Sequence, residues 1–264
     1  MRQYGKAGPV VWLALAGVAS LQAETPENIA ANIVYARGGM ARIQNIQTER
    51  MIGTILVGDQ QGSFVREVKR PGKVRMEVTL DGKTTVETYD GAVGWKLDGI
   101  AGNGQARHLS ADEKSRLAEE ADVDGPFADF ATKGTSIEAL DKEWLGPSLV
   151  WKLKVALKSG ETEFYYVEST GYYILLRENT RVSDNATTKS DTIYKDFRRV
   201  EGILFPFTVV SSTDKGDPAT ILQFQTIEVN RPISDSDFGL PESSGTPTPM
   251  HFKQDTPYLP AAGK

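Results

Sequence analysis

Few residues in this chain are equipped for catalytic chemistry. It has 264 residues, two histidines and no cysteine. The absence of cysteine removes thiol catalysis, zinc–cysteine sites and iron–sulfur clusters. His251 lies in a proline-rich tail, so His108 is the one candidate for a triad base, and no G-x-S-x-G elbow accompanies it. His108 reads instead as a loop residue ahead of a capped helix. Two histidines also argue against a zinc centre. Glu120, Asp122 and Asp124 alternate ahead of Gly125 in the manner of a calcium loop. The twelfth position, where an EF-hand needs a bidentate Glu, is Ala131, so this stretch reads as a solvated helix end. Gly99, Gly102 and Gly104 open no helix of a βαβ unit and make no dinucleotide site. The triplet Asn185-Ala186-Thr187 matches a glycosylation sequon, a pattern common by chance. No catalytic residue, metal ligand or cofactor site is assigned. The 35 acidic residues leave open that two carboxylates meet in a cleft, but no spacing selects a pair.

The chemistry that remains is apolar recognition. Trp95, Trp151, Phe164, Tyr166, Phe205, Phe207 and Phe224 all fall on predicted strands, mostly on the apolar face. In a sandwich these side chains would be core. In a strongly curved sheet with few helices to cover it, they would line an apolar cavity. Arg70 is the other notable residue, ending a strand just before Pro71. Pointing outward it is one more solvated charge. Pointing inward it needs partners, because an unpaired buried guanidinium is costly. Its five donors could then hold backbone carbonyls of a covering helix.

The elements that position these residues centre on Lys73 to Leu80. There Val74, Met76, Val78 and Leu80 share one face, and Lys73, Arg75, Glu77 and Thr79 the other. That period of two predicts a half-buried strand. Asp81-Gly82 supplies a tight hairpin turn, Lys83 to Tyr89 returns, and Asp90-Gly91 leads to a third strand, Val93 to Leu97. Met51 to Val57 and Gly62 to Arg70 precede this meander. After a helical insert, strands resume at Leu149, Glu161, Tyr172, Thr187, Ile203 and Thr220. About ten or eleven antiparallel strands are expected in all. Pro206 suits an edge or bulged position in its strand.

Two helices interrupt the strands. Thr25-Pro26-Glu27 starts the first, with Thr25 as N-cap, Pro26 at the first helical position and Gly38-Gly39 as the stop. Ile29, Ile33 and Ala36 form its stripe, which lies on a sheet or serves as a lid. Ser110 to Glu113 is a capping box that opens the second helix, with Leu117 on its apolar side and Phe127 and Phe130 beyond it.

The termini read differently. Arg2, Lys6, the apolar run Val10 to Ala19 and Leu21-Gln22-Ala23 make residues 1–23 a cleavable secretory signal peptide. No cysteine follows, so no lipid anchor is expected and the exported chain should be soluble. The net charge is −5, and about −7 without the signal peptide, which disfavours nucleic acid. Residues 24–240 read as one domain. Residues 241–264 carry five prolines and read as a disordered tail.

A family resemblance rests on the ordered set Arg70, Pro71, Asp90, Gly91 and Trp95: an Arg-Pro pair opening a strand, a hairpin, then Asp-Gly-x-x-x-Trp. This resembles the LolA/LolB-like family of periplasmic lipoprotein carriers, whose element order the chain also follows. The resemblance implies a mainly β, α+β fold: one antiparallel, strongly curved sheet forming an unclosed half-barrel with a short helical lid. It implies a soluble, monomeric periplasmic carrier that holds acyl chains of lipoproteins or other lipids. Such a carrier would take cargo from an inner-membrane donor to an outer-membrane acceptor. By that match Arg70 is the lid latch, and Ile29, Ile33, Leu117, Phe127 and Phe130 belong to the lid. The cavity would be lined by Val74, Met76, Val78, Leu80, Trp95, Leu97, Trp151, Leu153, Val155, Phe164, Tyr166, Ile174, Phe205, Phe207 and Phe224. The alternative is an envelope sensor or scaffold of the same fold that binds a protein partner. An enzyme on this fold would need a polar cluster in the cavity, which the strand faces do not reveal.

Overall fold

The computed structural model describes residues 24–183 and 186–240. The expected signal peptide, the sequon asparagine and the proline-rich tail lie outside them. The chain begins with α1 (Pro26–Arg37), capped by the Thr25 hydroxyl, which accepts from the Asn28 N–H at 3.3 Å. A short second helix, α2 (Met40–Gln44), follows at once; it was not expected from the sequence. Gly38 links the two at a positive φ of 149°, and a Cβ there would lie 2.9 Å from the Gly202 carbonyl oxygen. Glycine is therefore required where α1 meets the sheet.

Next come β1 (Thr48–Val57), β2 (Gln60–Lys69), β3 (Lys73–Leu80), β4 (Lys83–Tyr89), β5 (Gly94–Asp98) and β6 (Ala106–His108). The capping box at Ser110 then opens α3 (Ala111–Glu120). The second run is β7 (Ser136–Leu145), β8 (Ser148–Ala156), β9 (Thr162–Glu168), β10 (Ile174–Ser183), β11 (Ala186–Val200), β12 (Ile203–Thr213) and β13 (Thr220–Val229). A 3-10 turn, Asp235–Phe238, ends the described chain.

All thirteen strands form one antiparallel sheet in the order 6-5-4-3-2-1-13-12-11-10-9-8-7. Strands β6 and β7 are its two open edges, so the sheet does not close into a barrel. The helices cover one face: α3 lies on β3 and β4, while α1 reaches β12 and edge strand β7. The covered, concave face carries Val68, Val74, Leu80, Leu153, Val155 and Val167, all buried with Ile29, Ile33 and Ile43 of the helices.

Strand β12 is interior, not an edge, by its place in the order. It pairs β13 only from Thr208 to Ser211, however, so Pro206 occupies a stretch with one neighbour, β11. A missing N–H is tolerated there for the reason that it is tolerated at an edge.

Candidate ligand cavity and lid latch

A cavity of about 290 Å³ lies between the lid and the sheet. Ile33 and Val34 of α1 and Phe127 of the insert form its roof; Met51, Tyr165 and Phe205 contribute to its walls. Phe127 meets the Tyr165 ring edge-on, with centroids 5.0 Å apart. At about 290 Å³ the cavity falls just under the usual range of about 300–1,000 Å³ for ligand pockets.

Arg70 points inward and is fully engaged. Its Nε donates to the Ile46 carbonyl at 2.6 Å, and Nη2 donates to the Ile43 carbonyl at 3.1 Å. Ile43 lies in the last turn of α2, where its carbonyl also accepts from the Ile46 N–H at 3.1 Å, and Ile46 follows just beyond the helix. The same guanidinium grips Asp124 with both terminal nitrogens, Nη1 at 2.8 Å and Nη2 at 2.5 Å. The hydrogen bond from Arg70, with its charge, holds the Asp124 carboxyl below its ordinary range despite partial burial. Arg37 makes a second tie, from α1 to the insert, donating to the Val123 and Asp124 carbonyls at 2.7 and 2.8 Å. Lys133 pairs with Asp122 at 2.6 Å and donates to the Gly125 carbonyl at 2.8 Å. The lid is thus fastened by charge-assisted hydrogen bonds.

The cavity floor differs from expectation, because the strand faces do carry a polar cluster. Glu49, 3% exposed, lies 3.5 Å from Arg66 and 3.6 Å from Arg37. Arg66 also reaches Glu120, at 3.4 Å between side chains. On the opposite wall Glu163, 2% exposed, accepts from the Tyr165 hydroxyl at 2.6 Å and lies 3.6 Å from Arg177. Desolvation, followed by the neighbouring Glu163 charge, pushes the Tyr165 phenol well above its ordinary value. Arg66 follows Phe64 and precedes Val68 at a spacing of two. A charge on an otherwise apolar strand face was the signal available in the sequence.

Of the residues expected at the cavity, Ile33, Phe127, Ile174 and Phe205 line it. Ile29, Val74, Leu80, Leu117, Leu153, Val155, Phe207 and Phe224 are buried in the same apolar cluster, with Met76, Val78, Phe130 and Trp151 packed against it. Four others need correction. Trp95 and Leu97 pair with Thr88 and Val86, whereas the concave residues Val74 and Met76 pair with Tyr89 and Glu87. Directly paired residues share a face, so Trp95 and Leu97 are on the convex side. There Trp95 stacks on His108 at 3.8 Å. Phe164 and Tyr166 pair with Lys154 and Lys152, while the concave Leu153 pairs with Tyr165. They too are convex, with the Lys152 ammonium over both rings at 5.5 and 4.8 Å. The aromatic side chain that faces inward from β9 is Tyr165.

Among the described residues no group of acidic or histidine side chains is placed to hold a metal ion, and no helix is long and apolar enough to cross a membrane.

The sequence matches no family model and no curated protein. Solved structures do match. A LolA-superfamily protein from Nitrosomonas europaea is 13% identical with a TM-score of 0.55, covering 82% of this chain and 98% of that one. A DUF1329-family protein from Desulfovibrio piger gives the same identity, TM-score and coverage. A putative outer-membrane lipoprotein-sorting protein domain from Vibrio parahaemolyticus is 12% identical with a TM-score of 0.53, covering 81% of this chain and 95% of that one. The fold is therefore LolA-like: a mainly β, unclosed antiparallel sheet with a few covering helices.

Proposed function

We propose that the protein is a soluble, monomeric periplasmic carrier that buries the apolar chains of a lipoprotein or another lipid beneath its lid. The observation that carries this reading is the covered cavity whose roof is fastened by Arg70 and Arg37 rather than by apolar packing alone. Uptake requires the roof to lift. An acyl chain then gains about 0.8 kcal/mol for each CH₂ removed from water. Several long chains would bind too tightly to be passed on if the empty site stood open. A latched empty state reduces the apparent affinity by the free energy of opening, which makes transfer feasible. In this reading cargo passes from an inner-membrane donor to an outer-membrane acceptor, and the polar floor keeps the emptied groove from collapsing.

Native mass spectrometry of protein taken from the cell envelope, followed by lipid extraction, tests the reading. Retained lipid or lipoprotein is the expected result. Protein that is empty from the envelope and fails to take up lipid from vesicles would remove the carrier function. A sensor or scaffold that binds a protein partner would then replace it.

A further inference from the structure

The concave face changes character between adjacent rows of the sheet. One row runs Tyr194, Val209, Leu222 and Ile55 across β11, β12, β13 and β1. The next runs Arg177, Thr192, Ser211 and Thr220 across β10 to β13. Beyond it Asn179, Ser190 and Thr213 form a third. An apolar row thus gives way to two rows of hydroxyls and an amide within two residues of each strand, about 7 Å. The hydroxyl rows line a separate cleft of about 550 Å³ at the end of the groove bounded by Arg116 and Glu119 of α3. Arg177 lines both this cleft and the lid-end cavity, so the two are neighbours.

Three side-chain atoms of residues lining the cleft are buried without partners: Asn179 Oδ1, Arg177 Nε and Glu119 Oε1. Asn179 is 6% exposed, and its amide nitrogen donates to Glu163 at 2.9 Å. A carboxylate can only accept, which fixes the amide orientation and leaves Asn179 Oδ1 as a buried acceptor with no donor. Arg177 Nε is a buried donor with no acceptor. Buried polar groups ordinarily find partners, and the unmatched ones on this one cleft are a donor and two acceptors. The other cations are engaged: Arg181 by Glu119 and Glu161, Arg116 by Glu87. Glu120 and Asp217 also border the cleft. An acceptor-only anion such as a phosphate would face these carboxylates and leave Asn179 Oδ1 unmatched. Hydroxyl groups, which donate and accept, match Asn179, Arg177 and the Ser and Thr rows together.

We propose that this cleft is the headgroup subsite of an amphiphile whose apolar chain lies in the lid-end cavity, and that the headgroup is an uncharged polyol such as a sugar. The inference rests on the carrier reading and narrows its cargo.

Calorimetric titration of the full chain with dodecyl maltoside and dodecylphosphocholine, each below its micelle concentration, tests it. Dodecyl maltoside should bind about tenfold more tightly, the equivalent of one or two net hydrogen bonds. Asn179→Leu should remove most of that preference and leave dodecylphosphocholine binding within about twofold. Because Asn179 is buried, Ser211→Ala and Thr192→Val serve as a second pair expected to act in the same direction. Equal affinities that ignore all these substitutions would overturn the headgroup subsite and leave the carrier standing. Maltose alone binding as tightly as dodecyl maltoside would overturn the two-part site. Binding of neither detergent would overturn the carrier reading along with it.

Discussion

The sheet is covered on both faces, and the two covers are built differently. On the concave face α1, α2 and the insert are tied down through Arg70, Arg37 and Asp124, above a cavity. On the convex face of β3 and β4 the C-terminal segment lies flat. Phe238 is fully buried there, Ile233 is 8% exposed, and the Thr88 hydroxyl donates to the Gly239 carbonyl at 2.8 Å. Val86 and Leu97, paired with each other, are buried on the same face. Apolar burial is non-directional and is lost only by exposing surface to water. Charge-assisted hydrogen bonds can be exchanged for water with a small net change. In the carrier reading the concave cover lifts, which suits the second kind of fastening, and the convex one stays, which suits the first.

The largest effect should come from the permanent cover. Phe238→Ala should lower stability by about 3–5 kcal/mol in urea titration, as for other buried phenylalanines. Hydrogen exchange should speed up in β3 and β4 ahead of α1. Equal loss of protection at both covers would erase the distinction between them.

Arg70→Leu comes next. It removes the donors to Ile43, Ile46 and Asp124, and should cost about 2 kcal/mol, in the range of hydrogen bonds to charged groups. Exchange should rise in α1 and α2, and lipid should still be taken up but passed poorly to acceptor vesicles. Unchanged transfer would remove the latch role.

Acid should loosen the same latch. The Asp124 carboxyl is held below its ordinary 3.8 by Arg70, so its contribution is present above 3.8 and is lost as pH falls through the lower folded value. Asp124→Asn should abolish that acid-induced rise in exchange at α2. An identical acid profile in the variant would assign the effect to other carboxylates.

The smallest effect concerns α3. Desolvation, opposed by Arg181, pushes Glu119 from 4.5 up to about 7. The folded state then binds the proton more tightly than the unfolded one. Glu119 therefore favours the fold below 4.5, and that contribution disappears as pH rises through about 7. Glu119→Gln should flatten the decline in stability across this interval. A slope unaltered by the substitution would contradict the assignment.

Much of the fold was legible because local signals agree with it. Lys73 to Leu80 alternates cleanly and Asp81-Gly82 closes its hairpin, and both elements stand where the pattern puts them. Edge strand β7 was not legible: Ser136–Leu145 is largely exposed, and a bulge between Ala139 and Lys142 breaks its alternation. Facing was the harder problem. Alternation says which side chains share a face, not what covers it. Trp95 and Leu97 alternate as Val74 and Met76 do, but they lie on the face that the Asp235–Phe238 turn, far along the chain, covers at β3 and β4. Arg70 was visible from its place before Pro71, whereas its partner Asp124 resembled an ordinary acidic residue near a helix end.

The short seam between β12 and β13 has a mechanical meaning. β13 is laddered to β1 along its whole length, and β12 to β11 likewise, yet the two ribbons meet only from Thr208 to Ser211. Bending of a plate concentrates where its section is narrowest, so within the sheet the compliant line falls between these two ribbons. In the carrier reading a bulky guest would widen the trough by flexing that line, with the other rungs of the sheet left intact.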